Sequence, residues 1–362
     1  MKKSAIFILV ILFSFTQNNL FALKGRTFPV TITGPVTNKS ITFTVYLPEG
    51  YDNSTDKYPV LYHLHGIGGT HNGNQITTVP ASLEKAIASG IAGPMIIVFP
   101  DGYNDSFWAD SYDMKIPAET NIIQEIIPYI DQNYRTINTR EKRIISGFSM
   151  GGFGTAKFIT KYPDYFKVAV IYDGALLTWE GAKSRHAATM AKLFNSNVDN
   201  FNKYSPWFHL KKNAADLKSK IVIRQVVGQL VDNNRNFLDS LTKYTIASEY
   251  VETTCDHVLQ CLLDQGGQDS WKFIGSNIGG LATGLSIDVQ NGNNEFSIFP
   301  NPSNSFISVT GYSGEAKIYN GMGNIIWIGN IPENRRIDVS IFNVGLYVLC
   351  ANNEKIKFLV KR

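Results

Sequence analysis

Dense basic clusters are missing from this chain. No run of lysine and arginine is interleaved with aromatics, and the formal net charge is only +4, which excludes a nucleic-acid partner from the expected function. Long apolar runs are also scarce. The one at the start, Ala5 to Phe15, lies between Lys2-Lys3 and the polar Gln17-Asn18-Asn19, and it is too short for a comfortable membrane span. With Phe21-Ala22 behind it, residues 1–22 read as a secretory signal peptide cut after Ala22. No later segment is long and apolar enough to cross a bilayer, so no integral membrane span is expected and the mature chain should be soluble outside the cytoplasm. Cysteine occurs three times, at Cys255, Cys261 and Cys350. In an exported chain this pattern suits a Cys255–Cys261 disulfide with one odd thiol, and equally three unpaired cysteines.

What is present is enough apolar residue, 44% of 362 positions, to fill the core of one large domain and a small one. Thr27 to Ile32 and Ile41 to Leu47 alternate as antiparallel entry strands do. Tyr58 to His65, Pro94 to Phe99, Lys142 to Ser146, Val168 to Tyr172, Ile221 to Val227 and Ile246 to Val251 read as further strands, several of them apolar without alternation. Helical spacing appears in Ile122 to Tyr134. Strands alternating with helices predict an α/β fold with a mostly parallel central sheet and helices on both faces. Trp179 to Leu217 is polar, aromatic and irregular, and reads as an insertion over the sheet's carboxyl edge, where α/β sites open. The first large domain therefore occupies residues 23–275, followed by a glycine-rich linker over 276–292. Residues 293–362 hold seven short alternating strands at roughly ten-residue intervals, which predict a small C-terminal all-β sandwich.

Chemistry concentrates in Ser146-Gly147-Phe148-Ser149-Met150-Gly151-Gly152. Here a strand meets Gly-x-Ser-x-Gly and a helix-compatible segment follows, the setting in which a serine stands exposed on a strained bend. A serine hydroxyl is a poor nucleophile until a base takes its proton, so Ser149 needs a histidine oriented by an acid. Among the six histidines, His257 alone follows a late strand near the end of this domain. Asp232, after the strand Ile221 to Val227, is the expected acid; Asp173 lies one strand earlier and Asp239 falls in the helix beyond. The two amides of an oxyanion hole are assigned to Met150 and, in the glycine-rich loop His65-Gly66-Ile67-Gly68-Gly69, to Ile67. His63 and His65 share one strand face, yet spacing offers no third ligand, so no metal is expected; His65 is taken to brace the oxyanion loop. Trp108, Trp179 and Trp207, with Asn104, fall in loops near the site edge. There they could stack on a sugar or aromatic acyl group, or simply pack locally.

Taken together, Tyr62 to Gly69, Phe99-Pro100-Asp101-Gly102, Ser146 to Gly152 and the Asp232 and His257 segments resemble the esterase D-like esterases. That group includes feruloyl esterases, acetyl xylan esterases and S-formylglutathione hydrolases. The resemblance, running from about Thr27 to Ile274, implies an α/β-hydrolase fold, a serine triad and no cofactor. It departs from the family at Thr254-Cys255-Asp256, where a glycine commonly precedes the histidine. Phe299-Pro300-Asn301-Pro302, Ile318-Tyr319-Asn320, Gly345-Leu346-Tyr347-Val348 and Lys355-Ile356-Lys357-Phe358 resemble the C-terminal sorting domain of the type IX secretion system. This implies export by that machinery, across a Gram-negative outer membrane, to the exterior or the cell surface. A carbohydrate-binding sandwich is the rival reading of the tail. The function expected is a secreted serine carboxylic-ester hydrolase that removes feruloyl or acetyl groups from plant polysaccharides through an acyl-enzyme, its partner being an acylated polysaccharide or small ester substrate. The alternatives are an S-formylglutathione hydrolase-like or general esterase, or a non-catalytic glycan-binding protein on a hydrolase scaffold.

Overall fold

The computed structural model describes residues 23–278 and 297–361, except positions 300, 302, 311, 321–323, 333–335 and 352–353. The signal-peptide reading of residues 1–22 and the linker reading, from residue 279 onward, lie outside the described residues.

β1 (Arg26–Thr33) and β2 (Ser40–Leu47) pair antiparallel through eight residues, from Arg26↔Leu47 to Thr33↔Ser40. β2 then pairs antiparallel with β4 (Ile96–Pro100). From there β3 (Val60–Leu64), β5 (Arg143–Phe148), β6 (Val168–Tyr172), β7 (Val222–Val227) and β8 (Ala247–Glu252) run parallel, in the order β1-β2-β4-β3-β5-β6-β7-β8. Every residue of β3, β4 and β6 is buried, which is why these strands read as continuous apolar runs: helices cover both faces and leave no wet side.

The helices are α1 (Gln75–Ala88), α2 (Ala118–Thr120), α3 (Ile127–Asn133), α4 (Met150–Lys161), α5 (Trp179–Arg185), α6 (Ala187–Phe194), α7 (Val198–Asn202), α8 (Pro206–Lys220), α9 (Val231–Lys243) and α10 (Leu259–Asn277). A turn of π-helix, Asn121–Ile126, joins α2 to α3. Leu61, Ile97, Ile144 and Val168 pack with Val79 and Leu83 of α1 and Trp271 of α10 on one sheet face. Tyr62, Ile145 and Ile223 pack with Phe153 and Phe158 of α4 and Phe237 of α9 on the other.

The stretch expected to be irregular, Trp179 to Leu217, is helical instead. Three of its four helices are capped by a side chain: Thr178 Oγ1 accepts from the Gly181 amide, Asn197 Oδ1 from Asp199 and Asn200, and Ser205 Oγ from Phe208. Thr, Asn and Ser at these positions, with Pro206 opening α8, are helix-start signals. Scattered over short helices, they mimic loop composition.

All seven strands expected in the tail are present, as β9 (Ser297–Phe299), β10 (Phe306–Thr310), β11 (Glu315–Asn320), β12 (Ile325–Asn330), β13 (Arg336–Asp338), β14 (Gly345–Ala351) and β15 (Glu354–Val360). They form a sheet ordered β13-β10-β9 and another ordered β12-β11-β14-β15. Ile307 and Val309 of the first share a core with Ile318, Leu349 and Phe358 of the second. That is the construction of a β-sandwich.

For the site, one consequence of topology matters. Segments leaving the carboxyl ends of parallel strands emerge on the same edge of the sheet. The loops after β3, β5, β6 and β8 are such segments.

Candidate active site

Ser149 stands between β5 and α4 with φ 57° and ψ −115°, a conformation that a non-glycine residue adopts only under strain. The bend is locked from both sides: the Ser149 amide donates to Tyr172 O at 3.1 Å, and its carbonyl accepts from Ala175 N at 2.9 Å. Its glycines are sterically required. A Cβ on Gly147 would lie 2.3 Å from the Gly151 carbonyl oxygen, and one on Gly151 would lie 2.0 Å from that of Leu64. Backbone atoms cannot yield to such contacts as a flexible side chain could.

The ring of His257 is 2.8 Å from Ser149 Oγ through Nε2. Through Nδ1 it is 2.6 Å from Asp173 Oδ2. Phe148 lies against the same ring, with centroids 4.5 Å apart. Cys255 and Cys261 are joined, their Cα atoms 5.7 Å apart, so a closed loop carries the imidazole.

Asp173, fully buried at the end of β6, also has positive φ, 44°. Besides the imidazole, its carboxylate accepts from the amides of Gly228 (3.0 Å), Gln229 (3.2 Å) and Leu230 (2.8 Å). Burial pushes the carboxyl upward and is the largest single influence, but the His257 bond and the Leu230 and Gly228 amides outweigh it. The net shift is downward, so the acid is held as carboxylate.

The structure therefore brings Ser149 and His257 together but does not bring Asp232 to them. Asp232 is an exposed residue in the first turn of α9, where a carboxylate suits the positive end of the helix. The loop expected to carry the acid, residues 228–230, instead supplies backbone donors to an acid from the neighbouring strand. A signal for Asp173 did exist in the sequence. It directly follows the apolar run Val168 to Tyr172, a strand-end position of the same kind that marks Ser149.

Met150 opens α4, and Ile67 sits in the loop after β3. Among the described residues, neither amide donates to another group of the chain. A Cβ on Gly66 would come 3.3 Å from Ser149 Cβ, which measures how closely this loop approaches the serine. His65 holds it: Nε2 accepts from Gly102 N at 2.9 Å, so Nδ1 carries the proton and donates to Gly66 O at 2.8 Å. Burial lowers the pKa of His65. It also lowers that of His63, to about 3; His63 Nδ1 is paired with Ser146 Oγ at 2.8 Å.

Of the three tryptophans expected at the site edge, only Trp108 is closed to a sugar, while Trp179 and Trp207 are half-buried. Trp108 is completely buried and tilted against His65, with centroids 4.8 Å apart. Trp179 packs against Phe201 and Trp207 against Phe237, and both border the core. Apolar exposure falls on residues the sequence did not single out for substrate: Ile67 in the loop after β3, 48% exposed, and Val258 next to His257 in the chain, 50% exposed.

The fold of the large domain has counterparts. A ferulic acid esterase superposes with a TM-score of 0.60 at 24% identity, covering 70% of this chain and 98% of that one. An S-formylglutathione hydrolase from Agrobacterium tumefaciens gives 0.57 at 18% identity, covering 71% and 97%. Both establish the α/β-hydrolase fold. Among curated relatives, an esterase of Mycobacterium tuberculosis is 35% identical over 133 residues, 36% of this chain and 28% of that protein. An endo-1,4-beta-xylanase/feruloyl esterase of Xylanibacter ruminicola is 32% identical over 149 residues, 39% of this chain and 20% of that protein. The match thus spans less than a third of either relative's length. Residues 297–362 match the secretion system C-terminal sorting domain, the type IX sorting signal that marks a protein for secretion or display at the cell surface. Residues 34–273 match the model of the family described as "Putative esterase", and the chain belongs to that family.

Proposed function

We propose that this protein is an exported serine esterase that removes feruloyl or acetyl groups from plant polysaccharide through an acyl-enzyme. The observation that carries the reading is the unbroken hydrogen-bond chain Ser149–His257–Asp173, with links of 2.8 and 2.6 Å.

Ser149 Oγ adds to the ester carbonyl while its proton passes to His257 Nε2. Asp173, kept ionised by its three amide donors, holds the Nδ1–H tautomer and stabilises the imidazolium that forms. The Met150 and Ile67 amides receive the tetrahedral oxyanion. The C–O bond to the alcohol then breaks, and His257 returns the proton to the departing oxygen. Water, deprotonated by the same imidazole, adds to the acyl carbonyl and releases acid and free serine. No cofactor enters these steps.

The acyl preference is supported by the walls of the site. Ile67, in the loop whose Gly66 approaches Ser149, and Val258, next to His257 in the chain, expose apolar surface, and Phe148 lies on the His257 ring, a setting that suits an aromatic or small acyl group better than a charged one. Polysaccharide as the carrier agrees with the sorting tail and with the xylanase/feruloyl esterase relative. Export weighs against an S-formylglutathione hydrolase, whose thiol-derived substrate is cytosolic, and the complete relay weighs against an inactive glycan-binding scaffold. The test is release of ferulate and acetate from arabinoxylan by wild type and Ser149→Ala. Release by wild type alone is expected; equal release by both would end the proposal.

A further inference from the structure

Three buried groups outside the proton relay connect the nucleophile helix to the oxyanion loop. The first is Lys157, fully buried on α4. Its Nζ lies 2.8 Å from Glu119 Oε2 and also donates to the Trp108 carbonyl. Burial pulls this ammonium down to about 8, with Glu119 the main opposing influence. Glu119 also meets Lys161 at 2.6 Å and the Tyr162 hydroxyl at 2.8 Å, both through Oε1, so Lys157 is the partner of Oε2. Removing Lys157 would strip the buried Oε2 of that partner, a one-sided break that is costly in the interior. The second bond of the ammonium, to the Trp108 carbonyl, is what ties α4 to the neighbouring segment.

Trp108 is the second group. Phe107 and Trp108 have φ of 49° and 59°, consecutive left-handed residues that persist only where their surroundings over-determine them. The ring occupies a slot kept open by glycine on both sides: a Cβ on Gly154 of α4 would lie 2.7 Å from the indole, and one on Gly102 would lie 2.5 Å from it. From this slot the indole Nε1–H donates to the carbonyl of His65, the third group, at 3.2 Å. His65 in turn binds Gly102 N and Gly66 O. The far end of the oxyanion loop hangs on the same segment, because Gly68 N donates to Asn104 O at 2.8 Å. Both ends of the loop are thus fastened to residues 102–108, and Lys157 fastens those residues to α4. The Met150 amide belongs to α4; the Ile67 amide belongs to the loop.

We propose that Lys157, Trp108 and His65 are positioning residues that fix the Ile67 amide relative to the Met150 amide, so that one oxyanion meets both donors at once. The proposal rests on the serine-esterase reading above. Two donors on separate segments act together only if the distance between them is held, and a displacement near 1 Å costs up to about 100-fold in rate.

The test uses Trp108→Phe, which keeps a ring against His65 but lacks the indole N–H, and Lys157→Met. Turnover of p-nitrophenyl acetate is measured together with inhibition by a trifluoromethyl ketone, which adds to the serine and presents a tetrahedral oxyanion. Both variants are expected to lose about 10-fold in kcat, keep KM within about twofold, and lose ketone affinity by the same factor as kcat. Wild-type kcat and ketone affinity in a folded variant, or a change confined to KM, would overturn the proposal. If circular dichroism shows Lys157→Met unfolded, Trp108→Phe decides alone. Ser149→Ala, run alongside, separates the two levels. Activity there removes the esterase reading, whereas an inactive Ser149→Ala beside an unimpaired Trp108→Phe removes only the positioning role.

Discussion

The Asp173 carboxylate and the His257 imidazole meet at 2.6 Å although 84 positions separate them in the chain. Three consecutive amides of the loop after β7 converge on the same carboxylate. The carboxylate that meets the imidazole therefore comes from the end of β6, and the loop after β7 contributes amides that, with the His257 bond, favour its ionised form. Asp173→Asn should lower kcat by roughly 10⁴, the scale expected when the wrong tautomer is imposed on the histidine. Asp232→Asn should leave kcat within about twofold, since an exposed helix-start carboxylate contributes little. Steady-state kinetics on a chromogenic ester compares them, and the reverse ranking would return the acid to Asp232.

The bridge between Cys255 and Cys261 closes the loop that carries His257. Constraining so short a loop is worth about 2 kcal/mol on the chain-entropy account. Reduction, verified by thiol counting, should lower the thermal midpoint and slow turnover several-fold as the imidazole gains freedom. Unchanged turnover after confirmed reduction would show that the α10 packing alone holds the ring.

Replacing Gly151 by alanine tests the closeness of the elbow to β3. The new methyl carbon would stand 2.0 Å from the Leu64 carbonyl oxygen, so the helix must lift off the strand that leads into the oxyanion loop. Poor expression, or a folded protein with at least about 100-fold lower kcat, is expected. A stable, fully active Gly151→Ala protein would contradict the packing described.

His63, His65 and His209 are kept neutral by burial, His63 with its pKa lowered to about 3 and His209 to about 4. In the unfolded chain each takes up a proton near pH 6.5. The stability from excluding those protons is complete above about pH 6.5 and drains away as the pH falls toward the folded values. The loss reaches at most about 1.4 kcal/mol per pH unit for each histidine. Asp173, lowered in the fold, adds a loss only at lower pH, below its unfolded value of about 3.9. Urea midpoints should therefore decline steadily from pH 6.5 to pH 4.5. A flat profile there would mean the three rings titrate alike in both states.

Much of this was legible in the sequence because it is local. Ser149 announces itself through glycines at fixed offsets, and the unalternating run Ile96 to Phe99 declares a strand covered on both faces. Asp173 was legible as a strand-end aspartate but not as the partner of His257. Which strand end supplies the acid depends on where the imidazole arrives across the sheet edge, and local pattern carries no information about that approach. Trp108 misled for a related reason: flanked by Ser106 and Asp110 it looks like an exposed loop residue. The slot that buries it is made by Gly154, 46 positions away, and by Gly102. Three of the four helices between Trp179 and Lys220 were obscured by their brevity, α5, α6 and α7 having 7, 8 and 5 residues. The cysteine pairing, left open by composition, needed the turn at Asp256 to Val258, where the Val258 amide returns to the Asp256 carbonyl at 2.7 Å.

The most direct test of the whole account is mass analysis of the enzyme quenched in acid during turnover of a feruloyl ester. The account predicts a feruloyl group on the peptide bearing Ser149, absent from Ser149→Ala, which should also release no ferulate above background. Wild-type rates of ferulate release by Ser149→Ala would contradict it.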